Sequence, residues 1–309
     1  MDAIDRKLLS ALTEDARTPA TRLAKRARVS REVASYRLNR LARRGIIRKF
    51  VTRIDMGRLG FKAAALFLTL RQSREREFRA YVKASNHLSW VGEWTGVWSY
   101  ALSIVGRDDE EIDGRFHDLF DRFKADIVAH RFALHKRTRF FQEKLFGETT
   151  GGKAEKTVEK DVDETDKRIL RILSDDARSD YVALSKRTKL TAQAIRQRVK
   201  RLEKSGAIQQ YTLFLDLKAL GLQQYSVLVR AGPDAGKLLS HLAAHPDVSF
   251  VAEYVGDPFL EFGLVVEDPY RLRGLLQGIG DLFPENRVLE LSLFEETLVA
   301  AGPPPCVFE

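Results

Sequence analysis

Asp5-Arg-Lys-Leu-Leu-Ser-Ala-Leu-Thr-Glu-Asp-Ala-Arg17 returns 161 residues later as Asp166-Lys-Arg-Ile-Leu-Arg-Ile-Leu-Ser-Asp-Asp-Ala-Arg178. The match extends outward without a gap, so that residues 2–60 align with 163–221. Arg37, Arg40, Leu41 and Gly45 meet Arg198, Arg201, Leu202 and Gly206, and Asp55, Leu59 and Gly60 meet Asp216, Leu220 and Gly221. Further on the likeness weakens but persists. Val91-Gly-Glu-Trp-Thr-Gly96 resembles Val251-Ala-Glu-Tyr-Val-Gly256, and Asp118-Leu-Phe120 resembles Asp281-Leu-Phe283. A period near 160 residues is too long for a solenoid repeat. It reads as a protomer written twice in one chain.

Each copy opens with a helical pattern. Ile4, Leu8, Leu9 and Leu12 share one face, behind Asp2 at an N-cap position. Thr18-Pro19 restarts the chain, and Leu23, Ala24 and Ala27 predict a short second helix. After a tight turn at Arg28-Val29, Ser30 caps a third helix that buries Ala34, Leu38 and Leu41, and Gly45 ends it. Residues 46–55 predict a strand. The second copy repeats the scheme with Ile169, Leu170, Leu173 and Leu184, the cap Thr191, the buried set Ile195, Val199 and Leu202, and the stop Gly206. Three helices and a wing make a winged helix-turn-helix.

The remainder of each copy predicts βαββαβ, a ferredoxin-like unit. In the first copy the strands fall at 64–70, 88–95, 99–105 and 127–135, with helices at 74–84 and 110–123. In the second they fall at 225–230, 248–255, 259–266 and 288–298, with helices at 235–244 and 270–283. Such a sheet has a bare apolar face that needs a partner, which the other copy in the chain can supply. Trp90, Trp94 and Trp98 read as packing on that sheet, with Trp98 opening the third strand. The fold class expected is therefore α+β, as a tandem repeat. Winged helix-turn-helix domains occupy 1–58 and 163–219, ferredoxin-like domains 59–146 and 220–309, and a polar, glycine-containing linker 147–162.

Charge sharpens this organisation. The 309 residues hold 52 Lys and Arg against 43 Asp and Glu, a formal net charge of +9. Residues 2–60 carry 16 basic against 6 acidic residues and 163–221 carry 13 against 8, whereas 222–309 carry 5 against 13. Positive charge is concentrated on the helical domains, where duplex DNA is the natural partner. No apolar run approaches the ~20 residues of a membrane span, and no helix pairs a basic face with a large aromatic one. Met1-Asp-Ala-Ile-Asp-Arg-Lys7 lacks a signal-peptide core, which predicts a cytoplasmic protein. The single Cys306 excludes an internal disulfide and any multi-cysteine metal site.

Residues at the start of a recognition helix reach base edges, and later basic ones meet phosphate. That makes Arg31, Glu32, Ser35 and Tyr36 base readers in the first copy, with Arg37, Arg40 and Arg43 on the backbone. In the second copy Gln193, Arg196 and Gln197 read, with Lys200 and Arg201 behind them. The two sets differ, so the two helices are expected to prefer different sequences. Arg37 and Arg198 have an equal alternative role, pairing with an acid on the first helix.

Both copies resemble the Lrp/AsnC family of transcription regulators. The resemblance rests on Asp5-Arg-Lys-Leu-Leu9 and its twin, on Asp15-Ala-Arg17 and Asp176-Ala-Arg178, and on Leu23-Ala-Lys25 and Leu184-Ser-Lys186. It rests most closely on Arg198-Val-Lys-Arg-Leu-Glu-Lys-Ser-Gly-Ala-Ile208 with Tyr211. It implies DNA binding by the first part of each copy, and oligomerisation and binding of an amino acid or other small-molecule effector by the second. The family's Gly-Asp turn is matched by Gly256-Asp257, an effector-site candidate, but becomes Gly96-Val97 in the first copy. The assembly is open between an internal pseudo-dimer and a homo-oligomer of chains.

No cofactor or metal is expected. Gly232-Pro-Asp-Ala-Gly236-Lys237-Leu238 is one residue short of a phosphate loop and has Leu where Ser or Thr should hold magnesium. His130 and His135 fall on opposite strand faces. Sirohaem decarboxylases look like repurposed members of the same family, but neither middle hairpin, 96–105 or 256–266, holds a histidine. An architectural nucleoid protein is the other alternative, distinguished by binding without sequence preference.

Overall fold

The computed structural model describes residues 1–146, 162–256 and 260–309. Helices α1 (Ala3–Glu14), α2 (Ala20–Ala27) and α3 (Arg31–Arg43) lead into strand β1 (Ile47–Ile54). Then come β2 (Lys62–Leu70), α4 (Glu75–Ala84), β3 (Leu88–Gly96), β4 (Tyr100–Gly106), α5 (Asp109–Phe123) and β5 (Ile127–Phe140). The second copy gives α6 (Glu164–Asp175), α7 (Tyr181–Thr188), α8 (Ala192–Ser205) and β6 (Ile208–Leu215). It closes with β7 (Gln223–Arg230), α9 (Ala235–Ala244), β8 (Val248–Val255), β9 (Leu260–Val266), α10 (Pro269–Leu282) and β10 (Arg287–Val299). The expected linker lies outside the described residues except for Val162. The chain forms two compact units: Met1–Gly60 with Phe146–Leu220 and Val307–Glu309, and Phe61–Leu145 with Gly221–Cys306. Each unit joins like parts of the two copies.

In the first unit β1 and β6 form an antiparallel two-stranded ribbon. Val51 faces Thr212, its own counterpart in the repeat, and Ile47 and Ile54 face Leu215 and Ile208. A pseudo-twofold axis therefore passes through the Val51/Thr212 pair. Around it each wing strand binds the other copy's first helix. Thr52 Oγ1 donates to Leu173 O at 2.6 Å, and Thr212 Oγ1 donates to Thr13 O at 2.9 Å. The repeated Asp-Ala-Arg motif belongs to this docking. Ala16 N donates to Tyr211 O at 3.0 Å, and Ala177 N donates to Phe50 O at 3.3 Å. The Arg17 guanidinium lies 5.3 Å from the Tyr181 ring and 5.0 Å from the Tyr211 ring, and Arg178 lies 4.8 Å from Phe50. Leu8, Leu12, Leu23, Leu41 and their twins Ile169, Leu173, Leu184 and Leu202 share one core across both copies.

The second unit is an eight-stranded closed barrel in the order β10-β3-β4-β2-β5-β8-β9-β7. Each copy contributes four adjacent strands, β3-β4-β2-β5 and β8-β9-β7-β10. The seams are β5–β8 and β10–β3. Both last strands run past their own sheet to make these seams. That is why β5 continues to Phe140 and not only to His135, with Arg137–Phe140 bonded to Glu253–Phe250. Outer faces such as Leu66, Leu68, Leu102 and Ile104 pack beneath α4 and α5, with Val227, Val229, Phe262 and Leu264 in the equivalent core.

The inner face is lined by Phe67, Trp94, Trp98, Leu228 and Tyr254, with Ala65, Ala101, Ala133 and Ala252 between them. The tryptophans are packing residues, as expected, although Trp98 sits in the turn before β4 and does not open that strand. A residual cavity of about 10 Å³, lined by Phe67, Trp94, Trp98, Ala101, Ser226 and Ser292, has room for about one water. The two last helices align differently from the sequence match. Asp108 and Asp268 are their caps, and Leu119 and Ile279 their buried counterparts, so Asp281-Leu-Phe283 is not the twin of Asp118-Leu-Phe120.

The two hairpin glycines differ in the space around them. Gly96 has φ +143°, and a Cβ there would meet Leu291 O at 2.8 Å and Ser292 Cα at 3.0 Å on the facing strand. Gly256 has φ +98°, and among the described residues nothing lies within 4 Å of a Cβ there. Both positions strain an L side chain, but only Gly96 adds a clash with backbone. Gly96→Ala is therefore expected to cost about 1–3 kcal/mol more than Gly256→Ala. Thermal unfolding of the two variants measures this, and equal losses would contradict the seam packing at Gly96.

Candidate nucleic-acid interface

The two third helices are built alike. Ser30 Oγ accepts from Val33 N at 3.2 Å, and Thr191 Oγ1 accepts from Ala194 N at 3.2 Å. Ala34, Leu38 and Leu41, and Ile195, Val199 and Leu202, anchor the buried faces. The preceding turns place Arg28 (φ 56°) and Lys189 (φ 59°) in the left-handed region. What remains is an outward face on each helix.

On α3 that face carries Arg31, Glu32, Tyr36, Asn39 and Arg43, all exposed, with Ser35 half-buried. Tyr36 exposes 60% of its surface. Val33, which the sequence reading passed over, is 40% exposed beside them. Hydrogen bonds from its own backbone N–H and from the Ser30 hydroxyl hold the Glu32 carboxyl below its ordinary range. On α8 the exposed face carries Gln193, Arg196, Gln197, Lys200 and Lys204. The structure therefore brings the predicted readers of each copy onto one accessible surface.

Three arginines of the predicted set, Arg37, Arg40 and Arg201, are placed differently, together with Arg198. Arg37 Nη1 donates to Asp2 at 2.5 Å and to Asp5 at 3.1 Å, and Arg40 Nη2 donates to Asp5 at 2.7 Å. The second copy repeats the arrangement. Arg198 Nη1 donates to Asp163 at 2.7 Å and to Asp166 at 2.9 Å, and Arg201 donates to Asp166. Asp5 and Asp166 are buried. Each third helix is thus clamped to the first helix of its copy by two arginines and two aspartates. The acid pairing weighed for Arg37 and Arg198 is what the structure shows, and it extends to Arg40 and Arg201. The readable signal was the pair of aspartates three apart facing two arginines three apart, in register in both copies.

The clamp shifts its members. The backbone N–H of Asp5 and the Arg37 guanidinium hold Asp2 at about 2, against an ordinary 3.8. Hydrogen bonds to Asp2 and Asp5 push Arg37 up. Burial alone would raise Asp163, but the Arg198 bond outweighs it and keeps the carboxyl low. Of the effector-site pair, Gly256 follows the end of β8 with a positive φ of 98°; Asp257 lies outside the described residues.

A family model for the AsnC-type helix-turn-helix domain matches residues 1–42, and one for winged helix-turn-helix DNA-binding matches 162–209. HTH-type transcriptional regulator FL11 of Pyrococcus horikoshii is 32% identical over 124 residues, covering 39% of this chain and 82% of the relative. The chain belongs to the Lrp/AsnC family of transcriptional regulators. A second family relative, HTH-type transcriptional regulator AldR of Mycolicibacterium smegmatis, is 31% identical over 116 residues, 36% of this chain and 68% of its own length. The crystal structure of the siroheme decarboxylase NirDL superposes with a TM-score of 0.65 at 14% identity, covering 97% of this chain and 93% of that one. At that identity the likeness is one of fold.

Two outcomes follow from the clamp. Asp5→Ala leaves Arg37 and Arg40 without their buried acceptor and should cost about 3–5 kcal/mol, read by chemical denaturation; a loss no larger than that of a surface variant would contradict the clamp. A carboxyl whose folded value is depressed stabilises the fold above its ordinary 3.8 and loses that contribution as pH falls through about 2. Asp2→Asn should therefore flatten the acid limb of the melting-temperature profile between those two values, and an unchanged limb would refute the assignment.

Proposed function

We propose that this chain is a sequence-specific DNA-binding transcription regulator that presents two unlike recognition helices, α3 and α8, to one duplex. The observation that carries the reading is the pair of exposed third-helix faces fixed about the Val51/Thr212 axis. Arg31 suits a guanine edge, the ionised Glu32 suits a cytosine amino group, and Gln193 and Gln197 suit adenine. Arg43 and Lys200 take phosphate. Arg37, Arg40, Arg198 and Arg201 hold the helices in position, and so are positioning residues. Because the readers differ between copies, the favoured site has unlike half-sites.

An amino acid or similar small molecule bound near the Gly256-Asp257 turn modulates that binding. The family resemblance supports this assignment. An enzymatic role like that in the name of NirDL is less well supported, since it rests on a likeness of fold at 14% identity. Among the described residues no group of three His, Cys, Asp or Glu could hold a metal, and no helix is long and apolar enough to cross a membrane.

Mobility shifts on DNA selected from random sequence test the proposal. Binding should weaken steeply with salt. Arg31→Ala and Tyr36→Ala should each lose about 1–3 kcal/mol of discrimination. Arg43→Ala should weaken cognate and random DNA alike and lower the salt slope by about 1. Equal losses on both DNAs for all three variants would overturn the reader assignment, and salt-independent binding would overturn the reading as a whole.

A further inference from the structure

We infer that the two halves of the chain have become unlike partners, each fitted to the other and not to a second copy of itself. The barrel's own symmetry makes the comparison possible. Phe67 and Leu228 are counterparts, the barrel-lining residues of β2 and β7. Phe67 pairs with Arg131 and Leu228 pairs with Glu290, so Arg131 and Glu290 hold the same position in the two copies. Between them runs an ion pair, Nη1 to Oε1, of 2.9 Å. The Trp98 indole N–H also donates to Glu290.

The seams have the same polarity. On β5–β8, Arg137 stands opposite Glu253, whose carboxylate draws Lys136 at 3.8 Å and Arg139 at 4.0 Å. On β10–β3 the equivalent pair is Glu296 opposite Glu93, two carboxylates. Arg79 of α4 reaches both, meeting Glu93 closely and Glu296 at 3.5 Å. The counterpart of Arg79 on α9 is Leu239. In the first unit Arg48 pairs with Asp216 across the copies, and the counterpart of Arg48 is Gln209. In the five of these ion pairs that join the two halves, the cation comes from the first half and the carboxylate from the second. The sheet parts carry the same bias: residues 61–145 hold 15 basic against 12 acidic residues, and 222–309 hold 5 against 13.

Pairing two second halves removes every one of these complements, whereas two first halves keep Arg137 opposite Glu93 and Arg48 facing Asp55 but lose the Arg131–Glu290 pair inside the barrel. Two second halves would bring Glu290 to Glu290 inside a barrel and Glu296 to Glu253 on both seams, with Leu239 in place of the bridging guanidinium. Two first halves would bring Arg131 to Arg131 among the interior aromatics. Like charges at short range in a low-dielectric interior are strongly unfavourable, and specificity is the difference between these pairings and the unlike one. The barrel interface therefore takes the other half of a chain as its partner and rejects its own kind.

The test begins with the intact protein carrying a protease site within residues 147–161. The purified chain is cut, unfolded in urea, refolded and weighed by native mass spectrometry. Only complexes of one first half with one second half are expected. Like pairs in roughly the 1:2:1 mixture of interchangeable halves would overturn the inference. The uncut chain provides a measurement that does not depend on refolding. Arg131→Glu and Glu290→Arg should each lower the melting temperature by several degrees, and the double exchange should recover most of the loss. A double variant no better than the singles would equally overturn it.

Discussion

A four-stranded βαββαβ sheet covered by helices on one side leaves two kinds of debt: a bare apolar face, and edge strands with unpaired backbone N–H and C=O groups. Closing eight strands into one barrel settles both at once. β5 and β10 reach across to β8 and β3, leaving no free edge, and the bare faces become the aromatic interior. The wing strands solve the same problem on a smaller scale. An isolated pair of strands is marginal in water, and β1 and β6 persist because each packs against the other copy's first helix through Thr52, Thr212, Ala16 and Ala177.

The arginines show how tertiary pairing redistributes a net charge. Arg37, Arg40, Arg198 and Arg201 are committed to carboxylates within their own copies, so the nominal basicity of the third helices overstates what they offer to phosphate. The exposed cations Arg31, Arg43, Arg44, Arg196, Lys200 and Lys204 form the outward charge on and beside these helices. The clamp supplies stiffness instead. Holding an exposed helix in one orientation lowers the ordering cost of binding, and the clamp recurs in two copies whose outward-facing residues differ.

Much of this was legible in the chain. Caps are local chemistry, and Asp2, Ser30 and Thr191 all cap where their side chains suggested, with Asp163, the repeat of Asp2, capping likewise. The gap-free repeat exposed the duplication, and the bare sheet face called for a second copy. Other features were hidden for physical reasons. Lys136-Arg-Thr-Arg139 lacks the alternation of a half-buried strand, because its partner is a seam that sequence neighbours do not report. Arg40 alone does not declare its role, since a helix-face arginine looks the same whether it faces phosphate or Asp5; only the repeated spacing of Asp2 and Asp5 with Arg37 and Arg40 does. The Arg131/Glu290 equivalence was masked because the offset between copies shortens through the last strands, where bulges near Val128 and Leu289 break the register. At the constant offset of the helical domains, Arg131 would have been set against Ser292.

Fusion changes what such a fold can express. Two identical protomers present one reading surface twice, so their best site is a palindrome and any substitution acts on both halves. In a fused chain each position is free to diverge, and the divergence here has a direction. Arg44, Arg48 and Lys49 of the first copy correspond to Ser205, Gln209 and Gln210 in the second, and Arg31 corresponds to Ala192. Under the proposed function, these positions offer more charge to phosphate in the first half, while the second has neutral side chains there. Since phosphate contacts add affinity with little discrimination, base mismatches should weigh more heavily, relative to total binding, under α8 than under α3. The one-way ion pairs between the halves ensure that such a graded pair is always delivered as one of each.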